Sequence, residues 1–172
     1  MDRQDFEHAV EPHFGFIYNV AYRMLGNAQD AEDAAQEALL AAYRSWTRFR
    51  GDSKITTWLY RIAVNAALMK VRRGKNEPYL KSTDDDDTQV RDWSQGPEDA
   101  ALNSELRQKL ESGLIYLPPD MRAAVVLRDV QGLSNEEAAE ALNTSVSAFK
   151  ARLHRGRVLL RRHLADYLEE QE

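Results

Sequence analysis

The chain has 172 residues, of which 43% are hydrophobic and 30% are charged, so it has enough apolar material to fold as one ordinary domain or two small ones. It contains no cysteine, which excludes disulfides, thiolate chemistry and cysteine-ligated zinc and suits a reducing compartment. The first residues lack the basic start and apolar stretch of a secretory signal, and no apolar run approaches membrane-spanning length. We therefore expect a cytoplasmic protein.

The net charge of −5 conceals two basic stretches. Residues 44–76 contain nine Lys and Arg side chains against one acid, and residues 149–163 contain six against none. Between them, residues 77–99 contain eight acids and two bases, so the negative sign comes partly from a connecting segment. A basic stretch is either a solvated helix face or a surface for phosphates. Because both stretches coincide with further motifs, nucleic acid is the favoured partner.

Helical periodicity dominates and no alternating strand pattern occurs, which predicts an all-α fold. A helical hairpin is expected over residues 6–46. Its break lies at Gly26-Asn27, since glycine suits a helix C-terminus and asparagine can cap the next helix. A further long helix is expected over residues 53–73.

From residue 75 to residue 96 the periodicity vanishes, and the aspartates at 84–87 would repel one another in a compact structure. This pattern predicts a flexible acidic linker. The predicted organisation is two small helical domains, residues 1–75 and 98–172, joined by a linker at 76–97. The second domain is expected to contain helices at 98–116, 120–130, 135–142 and 146–168.

The second domain contains the signature of a helix-turn-helix. Ser134 and Glu137 form a capping box that begins a short helix, residues 143–145 interrupt it, and a long basic helix follows. In this motif the start of the second helix faces base edges and later arginines reach phosphates. The candidate base-facing residues are Ser147, Lys150, Ala151 and Arg152, and the candidate phosphate contacts are Arg155 and Arg157.

Aromatic, basic and hydroxyl side chains alternate over residues 48–65 around Gly51. Surfaces of this composition suit single-stranded DNA, because aromatic rings stack on unpaired bases while arginines follow the backbone. Trp58 is in phase with Ile55 and Ile62, so core packing explains it as well as base contact does.

Four separated motifs occur in one order along the chain: DAEDAAQEA, FRGDSKITTWLYRIAVNAAL, LPPDMRAAVVLRDVQGLSNEEAAEAL and FKARLHRGRVLLRR. With these motifs the chain resembles an extracytoplasmic-function sigma factor, the smallest kind of bacterial sigma factor. The resemblance implies a promoter-specificity subunit that is not an enzyme and has no cofactor or metal. It also implies core RNA polymerase, promoter DNA and an anti-sigma factor as partners, without membrane insertion.

The resemblance also implies three groups of site residues. Those that match the motif for docking on the clamp helices of the largest polymerase subunit are Asp30, Asp33, Gln36 and Glu37. Those that match the base-capturing loop and adjoining helix for the minus-ten element are Phe49, Arg50, Gly51, Asp52, Ser53, Lys54, Thr57, Trp58, Arg61 and Asn65. Those that match the recognition helix for the minus-thirty-five element are Lys150, Arg152 and Arg155.

The chain departs from the family pattern at three places. Ile55 stands where phenylalanine is common, and Ala138 stands where isoleucine is common. Ala148-Phe149 replaces a usual Thr-Val at the start of the recognition helix, so the resemblance does not imply a standard minus-thirty-five sequence.

Two other function classes compete with this interpretation. A free-standing helix-turn-helix regulator would bind duplex DNA as a dimer, but it would not need the first domain. An enzyme is disfavoured because the four histidines are scattered and no nucleophile elbow, phosphate loop or metal-ligand motif is present.

Overall fold

The structure is a computed structural model that describes residues 3–74 and 103–170, with the side-chain surroundings of residues 103–107 and 166–170 excepted. Every regular element in these two ranges is helical, which confirms the all-α prediction. The predicted linker at 76–97 lies outside the described residues. None of the described helices is both long and apolar enough to cross a membrane.

The N-terminal lobe is built around three helices that pack against one another, α2, α3 and α4. Short 3₁₀ turns follow α1 and α3. The elements are α1 (Arg3–Val10), a 3₁₀ turn (Glu11–His13), α2 (Phe14–Leu25), α3 (Ala28–Ser45), a 3₁₀ turn (Trp46–Arg48) and α4 (Ile55–Arg73).

The break in the first hairpin forms as predicted. Gly26 ends α2 with a left-handed φ of 80°, which glycine adopts without a steric penalty. The Asn27 side chain caps α3, because its Oδ1 accepts from the Asp30 amide at 2.8 Å. On α3, Ala31, Ala34, Ala38 and Ala42 are buried. These small side chains allow close packing of α3 on α2 and α4.

Within residues 103–170, the C-terminal lobe contains four α-helices and a π-helical turn. The helix predicted at 120–130 is α-helical only at first and continues as the π turn, and the helix predicted at 98–116 ends in a 3₁₀ turn. The elements are α5 (Asn103–Gly113), a 3₁₀ turn (Leu114–Tyr116), α6 (Pro119–Val125), the π turn (Val126–Val130), α7 (Asn135–Ala141) and α8 (Val146–Glu170).

The α7–α8 connection has helix-turn-helix geometry. The Glu137 amide donates to the Ser134 hydroxyl at 3.1 Å, which caps α7 as the capping box predicts. Asn143 has a φ of 53° and, with the amide of Thr144 donating to the Ala139 carbonyl, closes the end of α7. The Ser145 hydroxyl then caps α8 by accepting from the Ala148 amide at 3.1 Å.

Phe149 and Gly156 show how closely α8 packs in the lobe. Phe149 is fully buried, so the departure at this position enlarges the hydrophobic contact of the recognition helix. Gly156 faces α6, where an added Cβ would lie 2.9 Å from Val125 Cγ2 and 3.3 Å from the Met121 carbonyl oxygen. The close approach of the two helices therefore requires glycine at 156.

The two lobes pack against each other. Helix α4 contacts both α6 and α7, and α2 contacts the 3₁₀ turn at Leu114–Tyr116. One cluster of buried side chains extends from Leu59 and Val64 of the first lobe to Leu127 and Phe149 of the second. A lobe of this size buries only a modest core alone, so burial of further apolar surface between the lobes stabilises both.

Candidate nucleic-acid interface

The first half of α8 presents a polar face to solvent. Ser147, Lys150, Ala151 and Arg155 are exposed, and Arg152 is partly buried beside them. The Arg155 Nε donates to the Ala151 carbonyl at 3.3 Å, which aligns its side chain along the helix. Five of the six residues predicted on this helix therefore lie together at its N-terminal half.

Arg157, the sixth, is placed differently. Its Nε donates to Asp129 Oδ2 at 2.9 Å and its Nη2 donates to Oδ1, so the pair is bidentate. The side chains of Arg157 and Asp129 are only 14% and 6% exposed. The guanidinium thus joins α8 to the π turn instead of extending toward solvent. Sequence reasoning missed this pairing because the partners are 28 residues apart.

The loop before α4 rests on an aromatic cluster, defined here as Phe6, Trp46, Phe49 and Trp58. The Phe49 ring lies 4.8 Å from the Trp58 ring and is stacked on Trp46 with centroids 5.9 Å apart. Phe6 contacts Trp46 edge to face at 5.6 Å. The structure therefore gives Trp58 a packing role, as one of the two interpretations predicted, and it leaves the ring only partly buried.

Gly51 sets the shape of this loop. Its φ is 76°, and nothing lies within 4 Å of an added Cβ, so backbone conformation alone selects glycine here. Around it, the side chains of Arg50, Asp52 and Lys54 are exposed and Ser53 is partly exposed. The loop thus combines an aromatic base with polar groups open to solvent.

The α4 residues that the sequence predicts to contact the minus-ten element differ in exposure. Asn65 is exposed, whereas Thr57 is only 3% exposed. The Arg61 Nη2 donates to the Glu140 carbonyl of the second lobe at 2.7 Å.

The neighbouring Tyr60 hydroxyl also contacts the second lobe, where it lies 3.2 Å from Gln131 Oε1. Burial, and secondarily the Glu137 carboxylate, raises the pKa of Tyr60 above its ordinary value.

The acidic motif of α3 forms a polar face beside α4. Gln36 and Glu37 are exposed, and Asp30 and Asp33 are partly exposed. The Lys70 Nζ lies 3.3 Å from Asp33 Oδ2, and an Arg73 nitrogen lies 3.9 Å from Glu37 Oε1.

One neighbour of the acidic motif was missed by sequence reasoning. Leu40 is 54% exposed and lies one turn after Gln36 and Glu37, so it shares their side of α3. The sequence feature that could have identified Leu40 is its position outside the buried alanine stripe of α3. In the described parts of the chain, no group of three or more His, Asp or Glu side chains is arranged to hold a metal ion.

Comparison with known families matches both lobes. The family description Sigma-70 region 2 matches residues 9–77, and Sigma-70, region 4 matches residues 107–160. The first match contains the acidic motif of α3 and the loop around Gly51, and the second contains the helix-turn-helix. Together they define a sigma-70-type transcription factor that has two of the regions of that class.

Individual relatives show to which family within this class the chain belongs. The chain is 37% identical to the ECF RNA polymerase sigma factor SigW of Bacillus subtilis over 171 residues, covering 96% of this chain and 91% of that protein. It is 35% identical to the RNA polymerase sigma-H factor of Pseudomonas aeruginosa, covering 98% and 91%. The chain therefore belongs to the ECF family of RNA polymerase sigma factors, and it is a promoter-specificity subunit of RNA polymerase.

Solved structures show the same fold. CnrH, in a complex with the cytosolic domain of CnrY, is 26% identical with a TM-score of 0.66, covering 96% of this chain and 90% of that one. The sigma factor RpoE from Bartonella quintana, in a complex with the anti-sigma factor NepR, is 20% identical with a TM-score of 0.68, covering 94% and 98%. At 20% identity, the likeness to RpoE shows a common fold alone.

Proposed function

We propose that the two lobes of this sigma factor divide the work of promoter recognition. The domain at residues 1–75 docks on core RNA polymerase and binds the minus-ten element, the domain at 98–172 reads the minus-thirty-five element, and 76–97 links them. The observation that supports this division is the presence of both a glycine-shaped aromatic loop and a capped helix-turn-helix in one chain. A free-standing regulator would not need the loop.

The minus-ten surface is the loop from Phe49 to Lys54 together with α4. An unstacked base of the opened strand would bind against the aromatic cluster, where stacking contributes roughly 1–3 kcal/mol per base. The exposed Arg50 and Lys54 side chains would neutralise phosphates, and Asn65 extends the surface along α4. Holding the base outside the duplex favours strand opening.

The minus-thirty-five surface is the N-terminal half of α8. Ser147, Lys150, Ala151 and Arg152 would face base edges, and Arg155 would contact phosphate. We assign Arg157 to positioning, because its buried pair with Asp129 holds α8 at a set angle in the lobe. Phe149 supports the same helix from the core.

The polymerase-docking surface is the polar face of α3. Asp30, Asp33, Gln36 and Glu37 supply its acids and amide, and we add the exposed Leu40 as an apolar contact next to them. A charged rim around an apolar contact steers association and excludes water. The chain has no catalytic role of its own in this scheme and acts in the cytoplasm. The complexes of its structural relatives support an anti-sigma factor as a further partner.

The test is transcription in vitro with purified core polymerase, with and without this protein, on a pool of random promoter sequences. Initiation that depends on the protein, from templates sharing two spaced elements, is the expected result. The selected upstream element would also reveal the effect of Ala148-Phe149. Absence of both transcription and core binding by the folded protein would refute the proposal and favour a free-standing regulator.

For the recognition helix, Arg152→Ala is expected to cost about 1–3 kcal/mol at one base position, as loss of a bidentate base contact does. Arg155→Ala is the matched control: it should weaken binding to all sequences alike and lower the salt dependence by about one phosphate contact. Promoter selections with each variant measure the base preference, and binding titrations at several salt concentrations measure the salt dependence. Uniform weakening by Arg152→Ala would make it a phosphate contact instead.

For polymerase docking, Asp33→Arg is expected to weaken core binding about tenfold or more, a loss of at least about 1.4 kcal/mol. Glu32→Arg makes the same charge change at an exposed neighbour on another side of α3 and should have a much smaller effect. A fluorescence titration with core polymerase measures both. Equal affinities for the two variants would remove Asp33 from the docking surface.

A further inference from the structure

We propose that two arginines outside the assigned minus-ten residues, Arg44 and Arg48, bind phosphates of the opened DNA strand beyond the captured base. They are called the flanking arginines here. The inference rests on the proposed minus-ten role of the loop around Gly51 and extends its surface to the end of α3. The strand then has one support along α4 and another at the flanking arginines, with the aromatic cluster between them.

The flanking arginines differ from most bases of the N-terminal lobe in their lack of a partner. Six other bases of this lobe lie within 4.0 Å of a carboxylate or carbonyl oxygen: Arg3, Arg23, Lys54, Arg61, Lys70 and Arg73. Neither the Arg44 nor the Arg48 side chain bonds to any of the described residues, and both are exposed. Their guanidinium donors are therefore free to bind an external anion, and phosphate suits them because it accepts two parallel hydrogen bonds.

The flanking arginines lie in a stretch of sequence that is kept free of acids. No Asp or Glu occurs between Glu37 and Asp52, although the chain as a whole has 28 acids against 23 Lys and Arg. Residues 44–54 contain four bases and one acid, so their local charge is +3. A basic surface around aromatic rings is the composition that binds a single strand, because the rings stack on bases while the cations follow the backbone.

The aromatic cluster holds the backbone that carries the flanking arginines. The rings of Tyr43 and Trp46 both contact Phe6 edge to face, with centroids 5.3 and 5.6 Å apart. Trp46 is also stacked on Phe49. The Phe49 amide donates to the Trp46 carbonyl at 3.2 Å, which closes the 3₁₀ turn that contains Arg48. Because this backbone is already fixed, binding a phosphate orders only the arginine side chains.

The flanking arginines and α4 lie at opposite ends of the loop. Arg44 is in the last turn of α3, Arg48 ends the 3₁₀ turn that follows, and α4 begins after the loop at Ile55. Arg44 and Arg48 are four residues apart, or about 6 Å along a helix at 1.5 Å per residue, so they can contact neighbouring phosphates. The backbone of a captured base therefore continues toward α4 in one direction and toward the flanking arginines in the other.

The experiment measures binding of the assembled holoenzyme to minus-ten strands of different length. The probes are fluorescent single strands with the minus-ten element found in the promoter selection, either alone or extended by a few nucleotides at its 5′ or its 3′ end. The variant R44Q/R48Q removes both charges and retains polar side chains. The variant R44K/R48K retains the charges.

The matched control is R72Q. Arg72 is also exposed in the last turn of a helix, and its side chain bonds to none of the described residues. It lies 17 residues from the start of α4, or about 26 Å from the loop at 1.5 Å per residue. R72Q therefore makes the same charge change at a helix end that is remote from the loop.

We expect R44Q/R48Q to lose about tenfold or more in affinity for one of the two extended strands, as loss of hydrogen bonds to charged groups does. Its affinity for the unextended strand should change little. The slope of log affinity against log salt for the affected strand should fall by about 1.4, since each phosphate contact on a single strand contributes about 0.7. R44K/R48K should retain this slope, and R72Q should retain the gain in affinity from both extensions.

Equal affinities and salt slopes for R44Q/R48Q and the unmodified holoenzyme on all three strands would overturn the inference. A loss confined to the affinity for core polymerase would also overturn it, because the flanking arginines would then contact protein and not DNA. Failure of the unmodified holoenzyme to bind even the unextended strand would refute the proposed minus-ten function, and the inference with it. Urea unfolding of the free variants should match that of the unmodified chain, since both side chains are exposed.

Discussion

Asp129→Ala should lower the free energy of unfolding by about 3–5 kcal/mol, because removing one partner of a buried ion pair leaves the desolvation cost of the other charge uncompensated. Asp129 is the bidentate acceptor for Arg157, and both side chains are largely buried. Urea unfolding followed by far-ultraviolet circular dichroism measures the change. Since the pair also sets the angle of α8, weaker minus-thirty-five binding should accompany the loss of stability.

The control for this prediction is Glu7→Ala. It breaks the Arg3–Glu7 pair, which has the same 2.9 Å separation but side chains that are 76% and 55% exposed. An exposed pair of this kind contributes less than about 1 kcal/mol. Equal losses from the two variants would show that the buried Asp129 pair contributes no more than a surface one.

Arg122→Met should also lower the free energy of unfolding by about 3–5 kcal/mol. Arg122 is 2% exposed, and its guanidinium donates to the carbonyl oxygens of Ile115 at 2.7 Å, of Leu117 at 2.9 Å and of Met24. Methionine retains much of the volume but donates nothing, and each buried acceptor left without a donor costs about 1–3 kcal/mol. The same unfolding experiment measures the loss.

Arg44→Met is the control, because Arg44 is exposed on α3 and surface substitutions change stability by about 0.5 kcal/mol or less. The Met24 carbonyl belongs to the first lobe, so Arg122→Met should also weaken the packing of the two lobes. A variant that unfolds like the unmodified protein would show that these carbonyl groups find other donors at little cost.

The sequence by itself determined the elements whose hydrogen bonds are local. The Asn27 cap, the Ser134 cap and the left-handed Gly26 each depend on partners three or four residues away, so residue type and spacing suffice to predict them. The alanine stripe of α3 likewise follows from helical periodicity alone. Together with the pattern of aromatic, basic and hydroxyl residues at 48–65, these features predicted the fold class, the helix-turn-helix and the position of the loop around Gly51.

Only the tertiary structure decided how the elements are used. Arg157 had the sequence features of a phosphate contact, yet Asp129 reaches it from 28 residues away. Arg122 connects to Met24 across 98 residues, and Arg61 connects to Glu140 across 79. No local rule relates residues at such separations, because their proximity depends on which apolar faces the lobes bury against each other. The docking of α7 on α4 follows from that choice.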